Sequence, residues 1–413
     1  MKHLIAVASL ALTLPLHALA TGVPPPADLP RTEQALAAID QDPSVAQARH
    51  GVQAATHSAS MLEASPYEWT AGAAAQRRRV DGVGNSNEWA ARLERTIRIG
   101  GKAGLDRDLG QAGLRQSQAQ LGAARVEVAR SLVDLWLDWL TARQTRAGLE
   151  EQGRFAMANV NAVEKRRKAG DASGLELTVA RGDLAEVQRQ VSATAAAEAR
   201  AQATLRIRFP SLPLAAIPLS EPTPIEGSET QWREQIAAAS DSLVAAKSAL
   251  RKAELSAERA KADRMPDPTV GVYAASEGFR TEQIVVLSFS IPLSGTYRDQ
   301  SAREALQQVE IARSALERQR RDLDVEVAVL VGEATTSVDR WRLAEQSATA
   351  ASEGARLAQR AYTLGETDLQ ALLMVRRQSM DAVNAAVTAR ADALRARYKL
   401  LIGARLLWNL DGN

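Results

Sequence analysis

The 413-residue sequence predicts a mostly α-helical protein with a small β part, built twice over from the same elements. Aromatics make up only 4% of residues while alanine and charged residues are abundant, which favours long, thin helical packing over a large aromatic core. Two segments in each half alternate apolar and polar side chains at a period of two, the pattern of half-wet strands. Three blocks recur in the same order at a spacing of roughly 195 residues, the mark of a duplication. "DPSVAQARHGVQAATHSASMLEASPYEWTAG" answers "SDSLVAAKSALRKAELSAERAKADRMPDPTVGV", with Ser44, Ala48 and Arg49 matching Ser242, Ala246 and Lys247. "LERTIRIGG", ending at Gly101, answers "LSFSIPLSG", ending at Gly295, and Gly170 of "KAGDASGLELTVAR" matches Gly365 of "TLGETDLQALLMVR".

The elements follow in order. Residues 1–20 read as a cleavable signal peptide: basic Lys2 and His3, an apolar run from Leu4 to Leu16, and the small-x-small site Ala18 to Ala20. The first repeat occupies 21–208: a helix over 33–64, strands over 67–76 and 87–99 around the polar loop "RRRVDGVGNSN", a long helix over 102–165, and a helix over 171–208. Residues 209–230 form a proline-rich connector, expected to be extended. The second repeat, 231–403, runs through a helix over 231–264, strands over 269–275 and 281–293 around "SEGFR", a long helix over 296–362 and a helix over 366–403, leaving a C-terminal tail at 404–413. Helices of some sixty residues are rods of roughly 90 Å, so they must pack on one another. In "RSLVDLWLDWLT", Leu132, Val133, Trp136 and Leu140 make a packing stripe, with Asp134 and Asp138 facing elsewhere.

The residues exclude more functions than they admit. The formal net charge is +2 and falls with removal of the signal peptide, so nothing argues for a nucleic-acid partner. There are no cysteines, hence neither disulfides nor an N-terminal lipid-bearing cysteine. After residue 20 no apolar run is long enough for a spanning helix. "GGKAGLDR" at Gly100 lacks the Ser or Thr after Lys102 and the glycine spacing of a phosphate loop. His50 and His57, seven apart on a helix, make a poor zinc pair. No metal site, cofactor or catalytic set is visible, and Asp134 with Asp138 lacks an acid–base partner, so an enzyme is not expected.

The strands do point somewhere. Trp89, Ala91, Leu93, Ile97 and Ile99 alternate with Glu88, Arg92, Glu94, Thr96 and Arg98; Val285, Leu287, Phe289, Ile291 and Leu293 alternate with Val286, Ser288 and Ser290. Strands of about ten residues, oily on one side and polar on the other, fit an outer-membrane barrel wall. Tyr67, Trp69, Trp89, Tyr273 and Tyr297 suit membrane interfaces. Arg95 falls on the oily parity, which places it near a rim or the register off by one. Four strands are too few to close a barrel, and open edges are not tolerated in lipid, so several chains must pool their strands if the hairpins enter a membrane.

The ordered blocks, with the turns "KAGDASGLELTVARGDL" and "AYTLGETDLQALLMVRRQSMDAV" and the ending "RARYKLLIG", resemble the TolC-like outer-membrane efflux proteins over essentially the whole mature chain. The resemblance implies a homotrimer with a twelve-stranded transmembrane β-barrel in outer-membrane lipid and a periplasmic tunnel of long α-helical hairpins. It implies an exit duct joined through a periplasmic adaptor to an inner-membrane RND-type pump. "SPYEWTAGAAAQRRR" and "NEWAARLERTIRIGGKAGLDR" look most like the branch accompanying cobalt, zinc and cadmium export. Drug efflux and type I protein secretion stay open, as does a periplasmic coiled-coil scaffold or adaptor-like binding protein.

On this reading the tips that meet the adaptor and form the aperture hold Gly170, Asp171, Leu175, Leu177, Gly365, Glu366, Asp368, Leu369 and Leu372. Asp171 and Glu366 would favour the N-termini of the helices that follow them. Family members carry an acidic ring just past the second tip, where this chain has Ala371, Leu372, Leu373 and Met374, so gating would rest on packing or on Glu366, Asp368, Arg376 and Arg377 pairing between helices. Arg92, Glu94, Arg98, Ser288 and Ser290 would face the barrel lumen. Gly100, Gly101 and Gly295 would mark the passage from barrel to tunnel.

Overall fold

The computed structural model describes residues 26–215, 217–293 and 295–410. The expected signal peptide lies outside the described residues. The chain runs through α1 (Thr32–Asp40), α2 (Pro43–Ala64), β1 (Thr70–Val80), β2 (Gly84–Thr96), α3 (Lys102–Lys168) and α4 (Gly174–Arg208). It then runs through α5 (Glu229–Ala239), α6 (Asp241–Ala262), β3 (Thr269–Glu277), β4 (Glu282–Ser290), α7 (Thr296–Leu364) and α8 (Leu369–Gly403). The halves match in length as well as order: α3 and α7 have 67 and 69 residues, α4 and α8 have 35 each.

The two helices expected over 33–64 and 231–264 are each broken in two. The side chain of Asp42 accepts the Ser44 N–H at 2.8 Å, and Pro43 opens α2 at the position where a missing N–H costs nothing. At the equivalent place in the second half Ser240 accepts the Leu243 N–H at 3.2 Å and starts α6. Helical periodicity continues across both breaks, which is why the pattern reads as one element.

β1 to β4 form one antiparallel sheet in sequence order. The first hairpin is longer at its tip than expected. Arg77, Arg78 and Arg79 pair with Asn87, Ser86 and Asn85, and only Asp81, Gly82 and Val83 lie outside the ladder. The arginine run reads as a loop, but paired backbone outweighs the weak strand preference of charged side chains. The second hairpin also reaches further, to Glu277 paired with Glu282. Both hairpins end sooner at the helical side, at Thr96 and Ser290.

The long helices are rods of about 100 Å. α3 packs along α4, α2 and α6, while α7 packs along α8 and α6. The main core lies at mid-rod, where Leu132, Val133, Trp136, Leu137, Trp139 and Leu140 of α3 are fully buried with Leu394, Tyr398 and Leu401 of α8. The expected stripe is therefore the helix-packing seam, with Trp136 and Trp139 edge to face at 5.2 Å. Asp134 leaves that seam toward Arg395 at 3.2 Å and Lys399 at 2.9 Å. The connector is irregular as expected, yet Phe209, Leu212 and Leu219 are buried in the core and the Ser220 N–H donates to Asp28. The C-terminal tail is likewise no loose end: Ala404, Leu407, Trp408 and Leu410 are buried there.

Candidate functional site

The register sorts the sheet into two faces. One row across it is Gly72, Arg92, Tyr273 and Val286; the next holds Glu94, Gly271 and Ser288; the last holds Thr96, Thr269 and Ser290. Arg92, Glu94, Ser288 and Ser290 thus share one face, and Thr96 and Thr269 exchange a 2.8 Å hydrogen bond on it. The face is crowded enough to demand glycine. A Cβ at Gly72 would stand 2.8 Å from the Arg92 Nε, and one at Gly271 would stand 2.7 Å from the Ser288 Oγ. Tyr273, expected among the interface aromatics, lies on this polar face instead, because its partner across the ladder is Arg92.

The other face is an oily band. It presents Ala71, Ala73 and Ala75 of β1, Trp89, Ala91 and Leu93 of β2, Val270, Val272 and Ala274 of β3, and Val285, Leu287 and Phe289 of β4. Val285, Leu287 and Phe289 are 75%, 82% and 67% exposed, a contiguous apolar surface that a water-soluble protein does not leave open. Arg95 closes this band at the helical end. Its Nε donates to the Tyr67 carbonyl at 3.2 Å and its guanidinium lies 5.5 Å over the Trp69 ring. Arg95 keeps its parity on the oily face, opposite Val270, and the register stands.

Arg98 does not sit with Arg92 and Glu94. It lies past the end of β2 and donates to the Leu62 and Glu63 carbonyls at 2.7 and 2.8 Å and to Asp106 at 2.7 Å. It belongs to a buried charge cluster where the sheet meets the rods, which the sequence pattern does not announce. Lys102 is 0% exposed; its Nζ donates to the Met265 carbonyl at 2.7 Å and to Asp267 at 2.8 Å, with Asp263 at 3.3 Å. Asp267 also accepts from the Ile99 N–H at 3.0 Å and the Tyr67 hydroxyl at 3.2 Å. Burial pushes the Asp267 carboxyl up, but the Lys102 ammonium and these donors outweigh it, so the group titrates below its usual value. Asp106 receives Arg98 and, at 2.6 Å, Arg259. The cluster ties α2, the α3 N-terminus, the α6 end and the sheet together. Gly100 and Gly101, at φ +67° and +77°, make the turn into α3, whereas Gly295 at φ −143° makes an ordinary extended start to α7.

At the far end of the rods both turns have one construction. Gly170 and Gly365 stand at φ +87° and +78°. The Asp171 N–H donates to the Arg166 carbonyl at 2.8 Å, and the Glu366 N–H to the Ala361 carbonyl at 2.9 Å, closing each helix with a Schellman motif. Asp171 and Glu366 are thus part of the helix endings. The caps of the following helices are Ser173, in a capping box with Glu176, and Asp368, which accepts the Ala371 N–H at 2.8 Å. Leu177, Leu369 and Leu372 are buried with Val160, Val163 and Ala180 and bind the two tips to each other. Leu175 does not join them and is 69% exposed.

Within one protomer Arg376 and Arg377 stand beside Gln359, Phe155, Asp183 and Glu186 rather than beside Glu366 and Asp368. Asp368 is occupied as a cap, and Arg376 donates to Gln359 at 2.8 Å while lying 4.6 Å over the Phe155 ring. Burial lowers the Arg376 pKa, with nearby Asp183 opposing. Arg166 of α3 reaches the Tyr362 hydroxyl of α7 at 3.0 Å. Arg377 lines a small polar cavity with Asp183, Glu186, Asn159 and Gln190. Burial raises the Asp183 carboxyl against the pull of Arg377 and Arg376, while hydrogen bonds from Arg189 and Gln190 hold Glu186 down to about 2. Among the described residues no three His, Asp or Glu side chains group to hold a metal; His50 and His57 are exposed, and His50 engages Gln53 at 3.2 Å.

An open four-stranded sheet with one oily face, continued by rods of helix, is a fold this chain shares with solved outer-membrane proteins. A membrane protein from Pseudomonas aeruginosa shares it with a TM-score of 0.77 at 17% identity, over 93% of this chain and 92% of that one. The outer membrane protein VceC from Vibrio cholerae does so with 0.74 at 14%, over 90% and 95%. The CmeC outer membrane channel of Campylobacter jejuni does so with 0.69 at 14%, over 90% and 84%. No curated protein matches the chain in sequence. Residues 36–207 match the family model described as outer membrane efflux protein. In sequence the chain is similar to the outer membrane efflux protein family over residues 36–207, and over nine-tenths of its length it has the fold of these solved outer-membrane proteins.

Proposed function

We propose that three copies of this chain close a twelve-stranded barrel in the outer membrane and that their helices form a periplasmic exit duct. The observation that carries the reading is the pairing of two features on one sheet. Both edges, β1 and β4, are free along 11 and 9 residues, and the band beside them is oily and exposed. Lipid supplies no partner for open edge N–H and C=O groups, and four strands cannot close on themselves, so copies must supply the partners. Among the described residues no helix is long and apolar enough to cross a membrane, and the exposed oily face supports the sheet as the membrane element.

The duct is passive in itself and works in tripartite efflux, with a periplasmic adaptor at the tips around Gly170 and Gly365 and an RND-type pump in the inner membrane. Its proposed cargo is heavy-metal cations, on the likeness of "SPYEWTAGAAAQRRR" and "NEWAARLERTIRIGGKAGLDR" to that branch. A duct need not bind what it passes, so cargo specificity is assigned to the pump. Purified protein in detergent should run as a trimer and conduct ions in planar bilayers; a monomer without conductance refutes the duct and favours a periplasmic scaffold. Deletion of the gene should sensitise cells to zinc, cobalt or cadmium; sensitivity to drugs alone, or a protein-secretion defect, would move the cargo class.

A further inference from the structure

The turn of the second hairpin does not simply close its own strands. The β2–β3 ladder stops at Trp89 paired with Ser276, although the register would carry it on to Glu88 and Ser86 opposite Glu277 and Phe279. The chain lifts off instead. The Gly278 N–H donates to the Glu88 carboxylate at 3.2 Å and the Phe279 N–H to the Ser86 hydroxyl at 2.9 Å. Ser86 and Glu88 point to the polar face, so Gly278–Arg280 is folded over that face. The fold-over is held against local cost: Phe279 and Arg280 stand at φ +59° and +66°, where side chains are strained. Its catch is buried, with Ser86 2% and Glu88 3% exposed, and Gln76 donates to Glu88 at 2.6 Å while Arg78 bridges Glu88 and Glu277 at 3.2 and 3.3 Å.

We infer that this turn is a latch over the outer mouth of the barrel, with Glu88 and Ser86 as its catch, and that it limits the size of what leaves. The inference rests on the duct reading, in which the polar face is the lumen: three such turns converge on one opening. Releasing the hydrogen bonds frees the strained turn to swing off the face, while the ladders below Trp89 keep the wall intact.

The chain has no cysteine, so Ser288→Cys places a single thiol on the polar face below the latch. Intact cells carrying this variant are treated with a small membrane-impermeant maleimide and with a bulky polyethylene-glycol maleimide. The small reagent should label and the bulky one should label slowly. Adding Glu88→Ala should speed bulky labelling about tenfold, the shift expected from losing about 1.4 kcal/mol of charge-assisted hydrogen bonding. Ser86→Ala, which leaves the Glu88 charges paired, should speed it in the same direction. Unchanged bulky labelling in trimers of both variants overturns the latch. A thiol that the small reagent reaches only in broken cells overturns the barrel reading itself, and the latch with it.

Discussion

Replacing Lys102 by Met tests the junction between sheet and rods. Lys102 is fully buried, and its ammonium satisfies the Met265 carbonyl and the carboxylate of Asp267, which is itself 6% exposed. Methionine fills the same volume but leaves Asp267 without its cation. Breaking a buried pair by removing one partner costs about 3–5 kcal/mol, because the remaining charge stays desolvated. The pH dependence has a definite sign. The Asp267 pKa is depressed in the wild-type fold, so its contribution is present above the ordinary carboxylate value of about 3.9 and lost as pH falls through the folded value. In the variant the lone buried carboxyl binds a proton more readily in the folded state than in the unfolded one. The deficit should therefore be full at neutral pH and shrink under acid conditions. Denaturant unfolding of the detergent-solubilised protein, followed by far-ultraviolet circular dichroism across pH, measures it. Adding Asp267→Asn should restore part of the loss, since it removes the unpaired charge while the amide oxygen can still accept from the Ile99 N–H and the amide NH2 can donate to the Tyr67 hydroxyl oxygen. Wild-type stability of Lys102→Met at neutral pH, or a double variant weaker than the single one, refutes the reasoning.

Other outcomes follow from the same contacts. Gly365→Val puts a β-branched residue at φ +78°, costing the tip about 1–2 kcal/mol or more, and should make the tip sensitive to protease and impair efflux; normal trimer yield with wild-type efflux would remove the tip role. Tyr398→Phe removes the 2.7 Å hydrogen bond to buried Asp28 and should lower stability by about 1.5–3 kcal/mol in chemical unfolding. Burial holds the Tyr398 hydroxyl protonated far above its ordinary range, so that loss should not vary between neutral and mildly alkaline pH. Asp42→Ala deletes the α2 cap and the partner of Arg208 at 3.0 Å, and should cost about 1–2 kcal/mol in the same assay.

Elements with a long period were legible from residue order. The rods, the mid-rod stripe around Trp136 and the oily parity of β2 and β4 each rest on a pattern that recurs within its element, so local noise averages out, and the glycine turns at Gly170 and Gly365 come once in each half. Single-residue punctuation was legible only in part: Pro43 and Ser240 break helices whose hydrophobic pattern runs straight through, and Arg77 to Arg79 are strand because Asn85 to Asn87 lie beside them. Tyr273 could not be assigned a face before its cross-strand partner was known, since a parity error of one reverses it.

What the sequence by itself determined is the periodic part of this protein: which stretches are rods, which are two-faced strands, and that they come twice. Only the tertiary structure decided where charges meet. Lys102 is brought to Asp267, Arg98 to Asp106, Glu88 to the turn at Gly278, and Arg376 to Phe155, across 165, 8, 190 and 221 positions respectively. Periodicity reports the side of an element a residue occupies, and says nothing about which distant residue stands opposite. A buried charge is stable only when that opposite residue is present, so the junction and the latch exist in the fold and not in the pattern.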